Sequence, residues 1–241
     1  MIKVENIDIW GFEHAIRGMR NPKNSWEKSD SAYCDDKPNC LGCVMYSDDG
    51  CHRNGEDYVI GKNDLDLMKR LYKGGTEHRK YLRQIFVSMD IAAPLYWWKE
   101  FDTYKVGTVS NSCSTMHKIA AKEFELDDFS WEHLTCQGVI EEPRALNDWD
   151  SVGCLAHIIE VLNYYRNHYI SHPESKIYWW QMIQLLPSSY NQRRTITMNY
   201  ENVFTILRQR RGHKLDEWNR LCDIFETFPY VKEIGGLNET D

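Results

Sequence analysis

Leu186-Pro-Ser-Ser-Tyr-Asn-Gln-Arg193-Arg-Thr-Ile-Thr-Met-Asn199-Tyr-Glu-Asn-Val-Phe-Thr-Ile-Leu207-Arg-Gln-Arg210 is the stretch on which the fold turns. Its Leu186-Pro187 closes an amphipathic helix expected over 174–186, because proline removes a donor and clashes with the preceding turn. Asn199 is a good N-cap, since its short side-chain oxygen can accept an orphan backbone N–H. The helix it opens carries Val203, Ile206, Leu207 and Arg210. Basic residues flank that helix, as Gln192-Arg193-Arg194 before it and Arg208-Gln-Arg210-Arg211 at its end.

Working outward, residues 150–170 read as another amphipathic helix marked by Leu155, Ile158, Ile159 and Leu162. A last helix is expected from about Leu215 through Trp218, Leu221, Cys222 and Phe225 to Pro229. Far upstream, Ile85-Phe-Val-Ser-Met-Asp-Ile91 alternates Ile85, Val87, Met89 and Ile91 on one face and predicts a strand. Pro94 then opens an aromatic helix through Phe101, followed by a polar stretch from Thr108 to Thr115. Nearer the N-terminus, Phe12, Ala15, Ile16 and Met19 repeat at helical spacing until Asn21-Pro22 stops them. Asn63 is read as the cap of a short helix carrying Leu65, Met68, Leu71 and Tyr72, closed by Gly74-Gly75. Residues 21–57 are polar, Cys-rich and without period, which predicts a long loop or a small inserted knob. These elements add up to one α+β domain over residues 1–241 with one insertion.

Composition narrows the function classes. The chain has 241 residues, 42 % of them hydrophobic and 27 % charged, which is a globular balance. Its net charge of −7 argues against general affinity for nucleic acid or anionic lipid, so an anion site must be a local basic pocket. No run approaches the roughly 18–20 apolar residues of a membrane span. The N-terminal Met-Ile-Lys-Val-Glu-Asn-Ile-Asp lacks an apolar signal core, and a cytoplasmic protein is expected.

Of the eight cysteines, Cys113, Cys136, Cys154 and Cys222 stand among apolar neighbours and read as buried thiols. Cys34, Cys40, Cys43 and Cys51 fall close together, and Cys40-Leu-Gly-Cys43 has the gap that suits two corners of a tetrahedral metal site. Zinc or an iron–sulfur cluster on those four is one reading, and free surface thiols are the simpler one.

No phosphate-cradling glycine loop, His-Glu-x-x-His or nucleophile elbow is present. Basic and polar residues do gather among aromatics in three places: Glu77-His78-Arg79-Lys80-Tyr-Leu-Arg83, then Lys99-Glu100-Phe-Asp-Thr-Tyr104-Lys105 with Ser110 to Thr115, and the two arginine groups around Asn199. Should they converge, guanidinium forks and hydroxyls can hold a phosphate while aromatic faces stack on a base. Each taken singly reads more often as a solvated helix face.

The opening stretch, continued to Asp216-Glu-Trp218, resembles the C-terminal half of the flavin-dependent thymidylate synthases. That family shows a Leu-Pro, an Arg six residues beyond the Pro, a Thr-x-Asn, and a helix ending in Leu-Arg before Gln-Trp-Glu. Order and spacing are kept apart from a one-residue shift before Asp216. Ile85 to Pro94 is similar to the strand entering the family signature, and His78 stands at the family's His before it. The resemblance covers roughly residues 60–120 and 185–230. Gly18-Met-Arg-Asn-Pro, Asn24-Ser-Trp26 and Pro94 to Lys105 resemble a divergent branch found in phages and gut bacteria.

The resemblance implies an enzyme that methylates dUMP, or modifies its C5, with reduced FAD, methylenetetrahydrofolate and NADPH. It also implies a homotetramer with active sites between subunits. Arg210 then stabilises charge on the pyrimidine, and Arg193 grips the nucleotide. Glu100 stands at the family's Gln, Cys113 at its Ser and Thr115 at its final Arg, with Ser112 in the same substrate-facing segment. Flavin contacts fall on His78, Thr103, Tyr104, Lys105 and Asn199. The family's Arg-His-Arg is Thr103-Tyr104-Lys105 here, and a further flavin-holding Arg is Glu201. Losing those cations lowers the expected flavin affinity, while Arg79, Lys80 and Arg83 can restore charge from another side. A thiolate attack by Cys113 on C6 of the base is a variant of the mechanism, set against a Cys that packs as a small hydrophobe. The alternatives are a flavin-free homologue that senses or sequesters a pyrimidine nucleotide, and basic clusters that only brace an oligomer.

Overall fold

A computed structural model describes residues 2–34, 58–135 and 150–236, together with the backbone of 46–47 and 50–51. In chain order the elements are β1 (Lys3–Trp10), α1 (Phe12–Arg20), β2 (Ala32–Tyr33), β3 (Tyr46–Ser47), β4 (Gly50–Cys51), β5 (Tyr58–Val59) and α2 (Lys62–Lys73). They continue with β6 (Phe86–Pro94), α3 (Leu95–Phe101), β7 (Thr108–Ser112), α4 (Ser151–Ser171), α5 (Lys176–Leu185), β8 (Asn191–Asn199), α6 (Tyr200–Arg210), α7 (Asp216–Glu226) and α8 (Val231–Gly235).

A four-stranded antiparallel sheet, ordered β1-β6-β8-β7, organises the chain. The alternation read in the sequence places Ile85, Val87, Met89 and Ile91 on its buried face, joined by Ile196 and Met198 from β8. Against that face pack Trp97 and Trp98 of α3, Val203 and Ile206 of α6, and Trp218 of α7. Burying such aromatics removes on the order of 150–250 Å² each from water, so these tryptophans dominate the core's stability. The opposite sheet face is polar and open, and carries Ser88, Asp90, Arg193, Thr195 and Thr197. A smaller cluster of Ile119, Phe124, Phe129, Leu155, Ile159, Leu162 and Met182 forms around α4 and α5.

The polar period of β8 hid it in the sequence, as did the charged alternation of β1. Both are strands because their backbones complete the sheet's hydrogen-bond ladders, with Ile196 and Met198 of β8 in the core and Val4 and Ile9 of β1 packed against it. β1 breaks register between Glu5 and Asp8, where Asn6 takes φ 52°. At the end of β1, Gly11 has φ 97°, and any Cβ there would strike the backbone carbonyl of Gln84. Only glycine fits that turn into α1.

The helix read as starting at Asn63 starts instead at Lys62, and its cap comes from afar. Asp30 accepts from the backbone N–H of Asn63 at 2.8 Å and of Asp64 at 3.1 Å. The first part of the supposed loop is therefore built structure. Asp64, fully buried, pairs with Arg20 at 2.7 Å and accepts hydroxyls from Ser29 and Ser31 at 2.7 Å each. β2 pairs with β5 across the remainder.

The cysteine reading needs correction as well. Cys222 is buried, and burial pushes its thiol up to about 11, but Cys113 and Cys154 are exposed and Cys34 is a half-buried free thiol. Cys40, Cys43 and Cys136 lie outside the described residues, and of Cys51 only the backbone is described. Among the described residues no group of three or more His, Cys, Asp or Glu side chains is placed to hold a metal. Nor is any described helix long and apolar enough to cross a membrane.

Candidate functional site

Arg210, at the C-terminal end of α6, is fixed from several sides. Its Nη1 donates to Glu100 Oε2 at 2.9 Å and its Nε to the Tyr104 hydroxyl at 2.8 Å. The guanidinium carbon stands 4.7 Å from the Trp218 ring centre, a cation–π distance. Trp218 Nε1 donates to the same Glu100 oxygen at 2.9 Å, and His213 Nε2 lies 3.6 Å from it. Helix packing explains the convergence: α3 supplies Glu100, the turn after it supplies Tyr104, and α7 supplies Trp218 beneath them. Arg210 Nη2 has no hydrogen-bond partner among the described residues. A cation held rigid by an aromatic floor and a carboxylate, with one fork nitrogen free, is preorganised for a planar anion.

Arg193 is a different object. It lies on the open sheet face, where Nη2 donates to Asp90 at 2.7 Å and approaches Glu5 at 3.8 Å. Asp90 also accepts from Thr195 Oγ1 at 2.5 Å and from Asn6 at 2.8 Å. Those donors, the Thr195 hydroxyl first, hold the Asp90 carboxyl well below its usual range. Its neighbour Arg194 points to the helical side, pairs with Asp102 at 2.8 Å and stacks 4.2 Å over Trp98. Within one chain, then, Arg193 and Arg210 stand on opposite sides of the sheet. They do not meet in a common pocket.

Cys113, just beyond the end of β7, is tied to β8. Its backbone N–H donates to the Arg193 carbonyl at 2.9 Å, and its carbonyl accepts from Gln192 Nε2 at 2.9 Å. Ser112 is exposed beside it and Thr115 is partly covered. This segment flanks the open face, with Arg193 and apart from Glu100. Glu100 itself is committed to Arg210 and Trp218 through Oε2, so the structure makes it a support of Arg210.

The residues matched to flavin contacts separate into groups. Thr103 bonds the Glu100 carbonyl, Tyr104 is held between Arg210 and Gln209, and Asn199 is buried as the α6 cap, accepting from Asn202 N–H at 3.1 Å. Lys105 is exposed near them. Arg79 pairs with Glu201 at 2.9 Å, and Arg83 reaches the same carboxylate at 4.0 Å. So the acidic residue expected to repel an anion is already neutralised, at the expense of Arg79. His78 and Lys80 line a cavity of about 640 Å³. Sequence reasoning missed Trp218 as the floor under Arg210, and Asp90 and Glu5 as competitors for Arg193. The buried-aromatic spacing of α7 was the signal for the first, and nothing short of the strand register signals the second.

No protein-family model and no curated protein matches the chain. Solved structures do. The flavin-dependent thymidylate synthase ThyX from Helicobacter pylori, complexed with FAD and dUMP, superposes with a TM-score of 0.58 at 18 % identity, covering 96 % of each chain. A second structure of that enzyme with FAD and dUMP gives 0.58 at 16 % identity, covering 97 % of this chain and 96 % of that one. The UMP/dUMP methylase PolB from Streptomyces cacaoi, bound with 5-Br dUMP, gives 0.57 at 14 % identity over 94 % and 89 %. The chain thus has the mixed α+β fold of these proteins, at identities that speak for fold alone.

An FAD would find a partial fit here. The cavity with His78 and Lys80, neighboured by Arg83, offers volume and positive charge for its phosphates. Thr103, Tyr104 and Asn199 are engaged internally and offer it little.

Proposed function

We propose that this chain is an enzyme that methylates dUMP, or modifies its C5 in a related way, in the manner of a thymidylate synthase. The observation that carries the reading is Arg210: rigid, stacked on Trp218, and with a free Nη2. The bound dUMP and 5-Br dUMP in the structurally similar proteins support the same substrate class.

Binding the pyrimidine against Arg210 lets its carbonyl edge meet the guanidinium fork. Negative charge that develops on the ring as C5 becomes nucleophilic is then stabilised, an effect worth on the order of 3–4 kcal/mol per preorganised donor. Glu100, Tyr104 and Trp218 keep that donor in place, so little reorganisation is needed during reaction. Arg193 supplies the phosphate contact, which requires exchanging Asp90 and Glu5 for phosphate oxygens. Since one chain holds these arginines on opposite sides of its sheet, we place each complete site between copies of the chain, in a homotetramer. His78, Lys80 and Arg83 would hold a flavin adenine dinucleotide, which supplies hydride chemistry when bound, with methylenetetrahydrofolate as the one-carbon donor and NADPH as the reductant.

A flavin-free nucleotide binder is the second reading, favoured by the burial of Arg79 on Glu201. Mixing decides the assembly: Arg193→Ala and Arg210→Ala proteins, each inactive, are expected to recover activity when refolded together. No recovery from such mixtures removes the shared site. A colourless protein that takes up dUMP but no added FAD selects the binder.

A further inference from the structure

The chain passes from α6 to α7 through Arg211-Gly-His213-Lys-Leu215, and this turn is held at several joints. Gly212 takes φ 75°, a left-handed conformation that glycine adopts without strain. Its N–H donates to Asn219 Oδ1 at 2.8 Å, and Asn219 Nδ2 donates to the His213 carbonyl at 2.8 Å. The His213 N–H closes the turn on the Arg210 carbonyl at 3.0 Å. With its backbone fixed on both flanks, His213 enters the Arg210 site from a rigid turn.

The tautomer of its ring follows from the neighbours. Leu215, the residue that opens α7, donates its backbone N–H to His213 Nδ1 at 3.1 Å. A nitrogen that accepts carries no hydrogen, so this network assigns the ring hydrogen to Nε2. Nε2 is thus a donor. It stands 3.3 Å from Arg210 Nη1, itself a donor, and two donors cannot bond each other. Glu100 Oε2 lies 3.6 Å away, beyond hydrogen-bonding reach, and already accepts from Arg210 and Trp218. His213 Nε2–H and Arg210 Nη2 are therefore adjacent donors for which the described residues supply no acceptor. The imidazole is 25 % exposed, so a ligand can reach it beside a guanidinium that rests on Trp218. Two adjacent, fixed donors without an acceptor have the makings of an oxyanion hole.

We infer that His213 is a further catalytic residue of the nucleotide site. Its Nε2–H and Arg210 Nη2 together receive one carbonyl oxygen of the pyrimidine as that oxygen gains charge. The inference rests on the enzyme reading above and adds to it a second, uncharged donor. A second cation there would repel Arg210, whereas an imidazole N–H adds a hydrogen bond without that repulsion. The Nε2 hydrogen stays on the ring throughout. Electron density held on the oxygen re-forms the carbonyl when C5 bonds the one-carbon unit.

Nitrogen-15 NMR of the histidine rings in the 241-residue protein reads the tautomer directly. His213 is expected to show a protonated Nε2 and a bare Nδ1. Adding dUMP should move the Nε2–H proton downfield, while 2-deoxyribose 5-phosphate, which lacks the base, should leave it in place. In turnover, His213→Ala should lower kcat about a hundredfold, with the dUMP Kd changed less than about threefold. His213→Gln, whose amide keeps an N–H, should recover about tenfold of that loss. A protonated Nδ1, an Nε2–H unmoved at saturating dUMP, wild-type kcat in His213→Ala, or no recovery in His213→Gln overturns the inference. If dUMP still binds and turns over beside any of these, the enzyme reading stands. A protein that neither binds nor methylates dUMP overturns that reading and this inference with it.

Discussion

Arg210 and Arg193 carry the same charge and come from the same motif, yet the molecule treats them oppositely. Arg210 is stacked on Trp218 and braced by Glu100 and Tyr104, with its side chain 19 % exposed. Arg193 is 50 % exposed and clasped by carboxylates that any phosphate must displace. A stacked guanidinium is set in place before ligand arrives, whereas a clasped one must exchange partners. The first suits charge that appears during reaction, and the second suits reversible capture of a group that arrives already charged.

The largest effect should come from breaking the floor under Arg210. Trp218→Ala removes a fully buried ring and is expected to cost about 3–5 kcal/mol of stability in urea denaturation, with Trp218→Phe far milder. A loss under about 1 kcal/mol would mean that Arg210 does not rest on a packed core.

Next in size is the brace. Glu100→Ala leaves Arg210 Nη1 and Trp218 Nε1 without their common acceptor. Nucleotide affinity measured by calorimetry should fall by about 1.5–3 kcal/mol, as it should for Arg210→Ala itself. Should Glu100→Gln bind dUMP as weakly as Glu100→Ala, the geometry is not what matters, and charge alone is.

The smallest effect sharpens the Arg193 side. Asp90→Asn weakens the clasp, so dUMP should bind somewhat more tightly, by less than about tenfold. The pH profile gives the sign independently. Because the folded-state carboxyl of Asp90 is held low, its contribution to stability is present above the ordinary aspartate range and is lost as pH falls through the folded-state value. Acid unfolding of Asp90→Asn should therefore lose part of its steepness below about pH 4. An unchanged acid profile would show that the Thr195, Asn6 and Arg193 contacts do not favour the carboxylate.

Much of the frame could be read from the sequence wherever apolar period and burial coincide. Ile85 to Ile91, the cap at Asn199 and the stop at Pro187 all stand where the pattern put them. β8 did not show itself, because its outward residues are Arg193, Thr195 and Thr197, and its inward ones include Gln192 and Arg194. The resemblance pointed to Arg210 and Arg193 without showing that a sheet separates them, since strand alternation fixes that and the motif does not. The expected roles of Tyr104 and Asn199 shifted for a simpler reason: each side chain has a partner in the fold that sequence spacing cannot display. Exposure of Cys113 likewise depends on a strand end that apolar neighbours do not reveal.

The pairing of β2 with β5, together with the Asp30 cap on α2, gives the chain a closed stem at Tyr33 and Tyr58. The stretch of sequence between those residues starts and ends at a stem that is already formed. Closing a loop costs free energy only as the logarithm of its length, roughly 0.6 kcal/mol per doubling. Evolution can therefore lengthen, shorten or re-equip that span with little penalty to the sheet. The stem works as a socket, and cysteine-rich sequence can be exchanged there while Arg20, Asp30 and Asp64 keep the socket's shape.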